Sequence, residues 1–215
     1  MSFVNKIRNA FIETSQIASE LLATDAVRDS WVEPSALERW NVSGLAGHLM
    51  RATRVVEDYL DKPEPEGPPT GDAVAYYSAV LDDDDLDSEL HKSIRERGDE
   101  MASSGHASLL DQWRETIGRL AARLEAEPPG RLVEVFKGFI LELDDYLVTR
   151  ILELVVHSDD LAVSVKLPTP VLPPLATEAT IRALVDMGRH RHGDTAVVRA
   201  LARRERDGSE ALRVL

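Results

Sequence analysis

Cysteine is absent from the 215-residue chain, which excludes a disulfide, a thiolate metal site and a cysteine nucleophile. Any thiol chemistry must use a thiol carried by another molecule. Long apolar runs are missing too: no stretch approaches the roughly 18 residues of a membrane span. The opening Met1-Ser2-Phe3-Val4-Asn5-Lys6 lacks the uninterrupted apolar segment of a secretory leader. A cytoplasmic location without a membrane partner is expected. Basic residues are in deficit, 25 Lys and Arg against 38 Asp and Glu, for a formal net charge of −13. Nucleic acid is therefore a poor partner, because a phosphate backbone needs a basic surface, and small molecules or other proteins are favoured.

The length suffices to bury a core, and helical periodicity supplies the elements. Residues 3–24 place Ile7, Phe11, Ala18, Leu21 and Leu22 on one face. Asn41 is a plausible N-cap for a second helix running to about Leu60, with Leu45, Leu49, Ala52, Val56 and Tyr59 as its buried face. Prolines and Gly67 make 62–71 a loop. The run Asp82-Asp83-Asp84-Asp85 lacks the alternation, Gly and Glu of a calcium loop and reads as an acidic turn preceding a helix. Leu109, Trp113, Ile117, Leu120 and Leu124 mark a third helix, ended by Pro128-Pro129-Gly130, and 132–140 reads as an extended connection. A fourth helix over about 144–166 is apolar on every side around Ile151 to Val156, as expected of a central, buried element. After the prolines at 168–174, residues 176–215 hold two more helical patterns and a final apolar segment. The expected architecture is all-α: a four-helix unit over 1–167 and a short helical extension over 168–215.

Glu153 is the one ionisable residue between Ile151 and Val156, and a buried carboxylate needs a partner. At helical spacing Arg150, Glu153, His157 and Asp160 form a polar stripe, with Tyr146 and Ser164 extending it. Glu and His at i and i+4 can chelate one metal, and His48, on the apolar face of the second helix, is a candidate third ligand. A His, Glu and His set leaves a fourth position for water or substrate, the pattern of catalytic zinc, although such ligands also suit other divalent metals. Two metal-free alternatives stand beside it: a core salt bridge between Arg150 and Glu153, and a His48 that only hydrogen-bonds in the core. Asp160 either orients the His157 imidazole or faces solvent. His91, His106, His190 and His192 are assigned to no site, and Arg189-His190-Arg191-His192-Gly193 reads as a helix end.

The segment Trp40-Asn41-Val42-Ser43-Gly44-Leu45-Ala46-Gly47-His48-Leu49 resembles the second-helix motif of the mycothiol-dependent maleylpyruvate isomerase family, within the DinB/YfiT-like superfamily. Asp145 to Arg150, followed by Ile151 to Leu161, resembles that family's arginine and metal-binding glutamate and histidine segment. The resemblance covers about Phe3 to Lys166. It implies a DinB-like four-helix bundle that binds zinc through His48, Glu153 and His157 and uses mycothiol as thiol cosubstrate. Residues 176–215 look like a short actinobacterial extension and depart from the larger mixed C-terminal domain of the isomerase, which leaves the isomerase substrate in doubt.

The expected function is thiol-dependent transfer or isomerisation of a small electrophile, of the S-transferase or maleylpyruvate isomerase kind. The metal would lower the pKa of the thiol, and Arg150 would hold a carboxylate of the electrophile. A hydrolytic version lacks a free general base, since Glu153 would be a ligand. The alternative from another class is a non-catalytic metal- or thiol-binding sensor or structural bundle, with homodimerisation left open.

Overall fold

The computed structural model describes residues 3–80, 85–202, 204–205, 208 and 212–214. The acidic run at 82–84 lies outside the described residues. In chain order the helices are α1 (Phe3–Leu22), α2 (Asp25–Asp29), α3 (Val42–Leu60), α4 (Ala73–Val80), α5 (Glu89–Ala102), α6 (His106–Ala126), α7 (Leu143–Ser164), α8 (Pro174–His192) and α9 (Asp194–Ala202). Between α6 and α7, β1 (Leu132–Glu134) and β2 (Ile140–Glu142) pair antiparallel with Val133 opposite Leu141. The fold class is all-α, as expected. The 132–140 connection is extended but doubles back as a hairpin through a 3-10 turn at Phe136–Gly138. Among the described residues no helix is long and apolar enough to cross a membrane.

Local chemistry sets the helix starts. The Asn41 side chain accepts from the Gly44 amide and Ser88 from the His91 amide, each satisfying a free donor at a helix N-terminus. Asp144 and Asp145 lie in the first turn of α7, where negative charge favours the helix dipole. Gly193, at φ 84°, closes α8, so Arg189 to His192 form a helix end as read from the sequence.

Helices α1, α3, α6 and α7 build the core. α1 packs on α6 and α7, and α3 packs on the same two. Phe11, Leu45, Leu49, Leu120, Leu147 and Leu154 are fully buried there. Trp113 sits in the same core and donates from Nε1 to Thr53 Oγ1 at 2.9 Å; Thr53 donates in turn to Ser15 Oγ at 3.1 Å. This short polar chain ties α6, α3 and α1 together. α8 lies outside this group but packs on α7, α4 and α1.

α5 approaches α3 more closely than side chains would permit. A β-carbon on Gly47 would lie 2.0 Å from the Gly98 carbonyl oxygen, and one on Gly98 would lie 2.6 Å from the Gly44 carbonyl oxygen. Backbone therefore meets backbone, bringing Arg97 on α5 beside the helix that carries His48. Gly47→Ala is expected to push α5 off α3 at a cost of roughly 1–3 kcal/mol or more. Thermal unfolding checks this, with a fall in Tm of about 2–4 °C for each kcal/mol lost.

Candidate metal centre

α3 and α7 bring the three predicted ligands together. His48 lies one turn from Leu45, Ala52 and the rest of the α3 core stripe, so its ring enters the bundle. Glu153 and His157 rise from α7 four residues apart. Both imidazole Nε2 atoms converge on one carboxylate oxygen: His48 Nε2 is 2.9 Å and His157 Nε2 3.3 Å from Glu153 Oε2. The three side chains are 16, 21 and 15 % exposed for His48, His157 and Glu153. One donor atom from each lies within 4.8 Å of the others, and no other such cluster occurs among the described residues.

The arrangement fits a divalent cation. Ligands at about 2.1 Å around a tetrahedral zinc stand roughly 3.4 Å apart, so the 3.3 Å separation already suits it and the 2.9 Å one needs slight widening. The donor set, two nitrogens and one carboxylate oxygen, leaves a further position open.

The neighbours hold these three groups in orientation. Asp160 Oδ2 accepts from His157 Nδ1 at 2.8 Å, turning Nε2 toward Glu153. Asp160 therefore faces His157 and not solvent alone. Burial opposes charge on Glu153, but hydrogen bonds from His157 and His48, with the Arg150 charge, hold its carboxyl well below the usual range. Burial also opposes charge on His157, yet the Asp160 and Glu153 hydrogen bonds raise it to about 9. His48 moves the other way, chiefly through burial.

Arg150 makes a buried but long ion pair with Glu153, so the core salt bridge read as the metal-free alternative is present in a loose form. Its Nη2 is 3.9 Å from Glu153 Oε1, while its Nε donates to Thr149 Oγ1 at 3.0 Å and its guanidinium lies 5.1 Å from the centre of the Tyr146 ring. The two Glu153 oxygens are held more closely by Tyr77 at 2.8 Å and His48 at 2.9 Å.

His48, Glu153 and Arg150 line a cavity of about 140 Å³ whose other walls include Tyr59, Tyr76, Tyr146, Arg51 and Arg97. Three guanidinium groups thus face a space containing one carboxylate. Among the described residues neither Arg51 nor Arg97 forms an ion pair; Arg97 Nε is buried without a hydrogen-bond partner. Burial and the adjacent Arg51 charge lower the Arg97 pKa.

Arg51, Arg97 and Tyr77 were not singled out from the sequence. Arg51 follows His48 by three residues and could have been placed on its face by spacing alone. Arg97 and Tyr77 could not, since α4 is too short for a helical period to show and α5 has few apolar residues. Ser164, at the end of the α7 stripe, accepts from the Ala36 amide at 2.8 Å and pins the 31–41 loop. Of the unassigned histidines, His91 bonds the Asp85 carbonyl and His106 the Leu22 carbonyl, away from the cluster.

Fold and site define a helical-bundle protein with a His, Glu and His cluster between two core helices. The family model for the mycothiol maleylpyruvate isomerase N-terminal domain matches residues 14–162, and the chain belongs to that family. The matched span includes all three cluster residues, Arg51, Arg97 and Arg150, and stops before α8. No curated protein and no solved structure matches the chain.

Proposed function

We propose that this protein is a thiol-dependent transferase or isomerase acting on a small electrophile that bears an acidic group. Its thiol cosubstrate is mycothiol, and its metal, zinc by analogy, is held by His48, Glu153 and His157. The observation that carries this reading is the adjoining of the three-residue cluster and an arginine-lined cavity in a chain without cysteine. A divalent ion held there supplies Lewis acidity, which favours the ionised form of a ligating thiol. A free thiol with pKa near 8.5 is only about 3 % ionised at pH 7, so that contribution is large.

The remaining work falls to side chains. Arg150, one turn before Glu153, lines the cavity and is suited to hold a carboxylate of the electrophile. Arg51 and Arg97, without a carboxylate partner among the described residues, add positive potential around the same space, so an acidic chain overall presents a cationic pocket to an anionic substrate. Tyr59, Tyr76 and Tyr146 wall the pocket and limit water near the reacting groups. At about 140 Å³ the cavity accommodates a small acid, and the sugar portion of a larger thiol must lie outside it.

The test is conversion of a small α,β-unsaturated oxo-acid and of its methyl ester, with and without zinc, in the presence of mycothiol. The expected result is product formation that needs both zinc and thiol and is at least about tenfold faster with the acid, one charged contact being worth roughly 1.5–3 kcal/mol. Product formation independent of zinc, or none with either compound, overturns the reading.

One observation favours a second reading, a bundle that binds metal or thiol without turnover. Ile181, Val198 and Leu201, on helices beyond the family match, are 57, 63 and 62 % exposed. Mycothiol binding to the zinc-loaded protein with no conversion of any acid supports this reading over the first.

A further inference from the structure

Tyr77 lies outside every motif read from the sequence, yet it makes the most restrictive contact to Glu153. Its ring is 2 % exposed, and its hydroxyl stands 2.8 Å from Glu153 Oε1 and 2.8 Å from the Thr149 carbonyl oxygen. Both neighbours are acceptors, so the phenol is the donor to this pair. It spans one turn of α7 from outside the helix. With Oε1 occupied in this way, Oε2 faces His48 and His157. Without the phenol, Oε1 is free to swing the short distance toward Arg150 Nη2, now 3.9 Å away, and Oε2 turns with it.

The ring is held from behind by the part of the chain outside the family match. Tyr77 packs in a separate apolar cluster with Leu152 of α7, Ala183 and Met187 of α8, and Val214, with Leu184 at its edge. α8 packs on both α4 and α7, so it presses the helix carrying Tyr77 against the helix carrying Glu153.

We infer that Tyr77 is a positioning residue that fixes Glu153 as a ligand through Oε2, and that α8 serves the site by holding Tyr77 in place. This rests on the proposed metal site and adds a role for the C-terminal helices, which lie beyond the matched domain. Groups that orient a ligand through a hydrogen bond typically contribute roughly 10- to 100-fold to metal affinity.

The test is cobalt(II) titration of the full chain, followed by visible absorption, for the wild type, Tyr77→Phe, Met187→Ala and the double variant. Phenylalanine preserves the packing, and thermal unfolding of the metal-free proteins confirms that each is folded at the titration temperature. Tyr77→Phe is expected to weaken cobalt binding roughly 10- to 100-fold and to alter the cobalt absorption bands. Met187→Ala is expected to weaken binding when Tyr77 is present and to add little when it is not, because both act through one hydroxyl. Wild-type affinity and spectrum in Tyr77→Phe overturn the inference while leaving the metal site intact. Equal losses from Met187→Ala in both backgrounds overturn the role given to α8. No cobalt binding by the wild type overturns the metal reading and this inference with it.

Discussion

Glutamine in place of Glu153 is expected to cut divalent-metal affinity about a thousandfold while the bundle stays folded. Two imidazole nitrogens converge on a single oxygen of this carboxylate, and the Arg150 guanidinium stands 3.9 Å from the other. Glutamine keeps the volume and can still accept from Tyr77, but its amide nitrogen then faces the two imidazoles, so the charge and the ligating oxygen are lost together. Removing one charge from a buried set costs on the order of 3–5 kcal/mol, and each 1.4 kcal/mol is a factor of ten in binding. Chelator competition measures the affinity, and circular dichroism checks the fold. An affinity within tenfold of the wild type would mean that Glu153 is not a ligand.

The largest effect on stability is expected at Arg8, far from the cluster. This arginine is 4 % exposed and donates from Nη1 to the Leu124 carbonyl at 2.8 Å and the Glu127 carbonyl at 2.6 Å. Nη2 reaches the Pro128 carbonyl at 3.1 Å, and Nε reaches Asp144 Oδ1 at 2.9 Å. These carbonyls lie at and just beyond the end of α6, where helix geometry leaves no intrahelical donor. One guanidinium thus satisfies the end of α6 and anchors the first turn of α7 to α1. Arg8→Ala strands three carbonyls and a carboxylate that is only 16 % exposed, at a cost of roughly 3–5 kcal/mol. For a chain of this length that is a fall in Tm on the order of 10 °C, with little change in metal affinity. Lysine at position 8 is expected to recover only part of the loss, since an ammonium lacks the planar fork. A Tm for Arg8→Ala within about 2 °C of the wild type would contradict the assignment.

Long helices were legible wherever a single apolar stripe met a buried core. Asn41 and the spacing from Leu45 to Val56 located α3, and the unbroken apolar surround of Glu153 marked α7 as central. The stripe on α7 also announced the site, because a carboxylate on such a helix needs partners and the residues one turn away could supply them. The short helices α2 and α4 were not foreseen, and α5 was expected only as a helix following the acidic turn, without bounds. α5 has few apolar residues, and what holds it against α3 is a backbone contact at Gly47 and Gly98, for which periodicity has no signature. α4 is apolar all round and too short for a helical period to show. Arg97 and Tyr77, which complete the cavity and the Glu153 hydrogen bonds, ride on those two helices. Arg8 was equally hidden, for a lone arginine in a surface-helix pattern gives no sign that it caps a helix more than a hundred residues away.

Metal content of the purified protein tests the central claim most directly, measured by elemental analysis beside His48→Ala, Glu153→Ala and His157→Ala, with circular dichroism on all four. The account predicts about one divalent ion per wild-type chain and none in the three folded variants. A wild-type chain that takes up no metal when refolded with excess zinc would contradict it, leaving the cluster as a hydrogen-bonded core network beside Arg150.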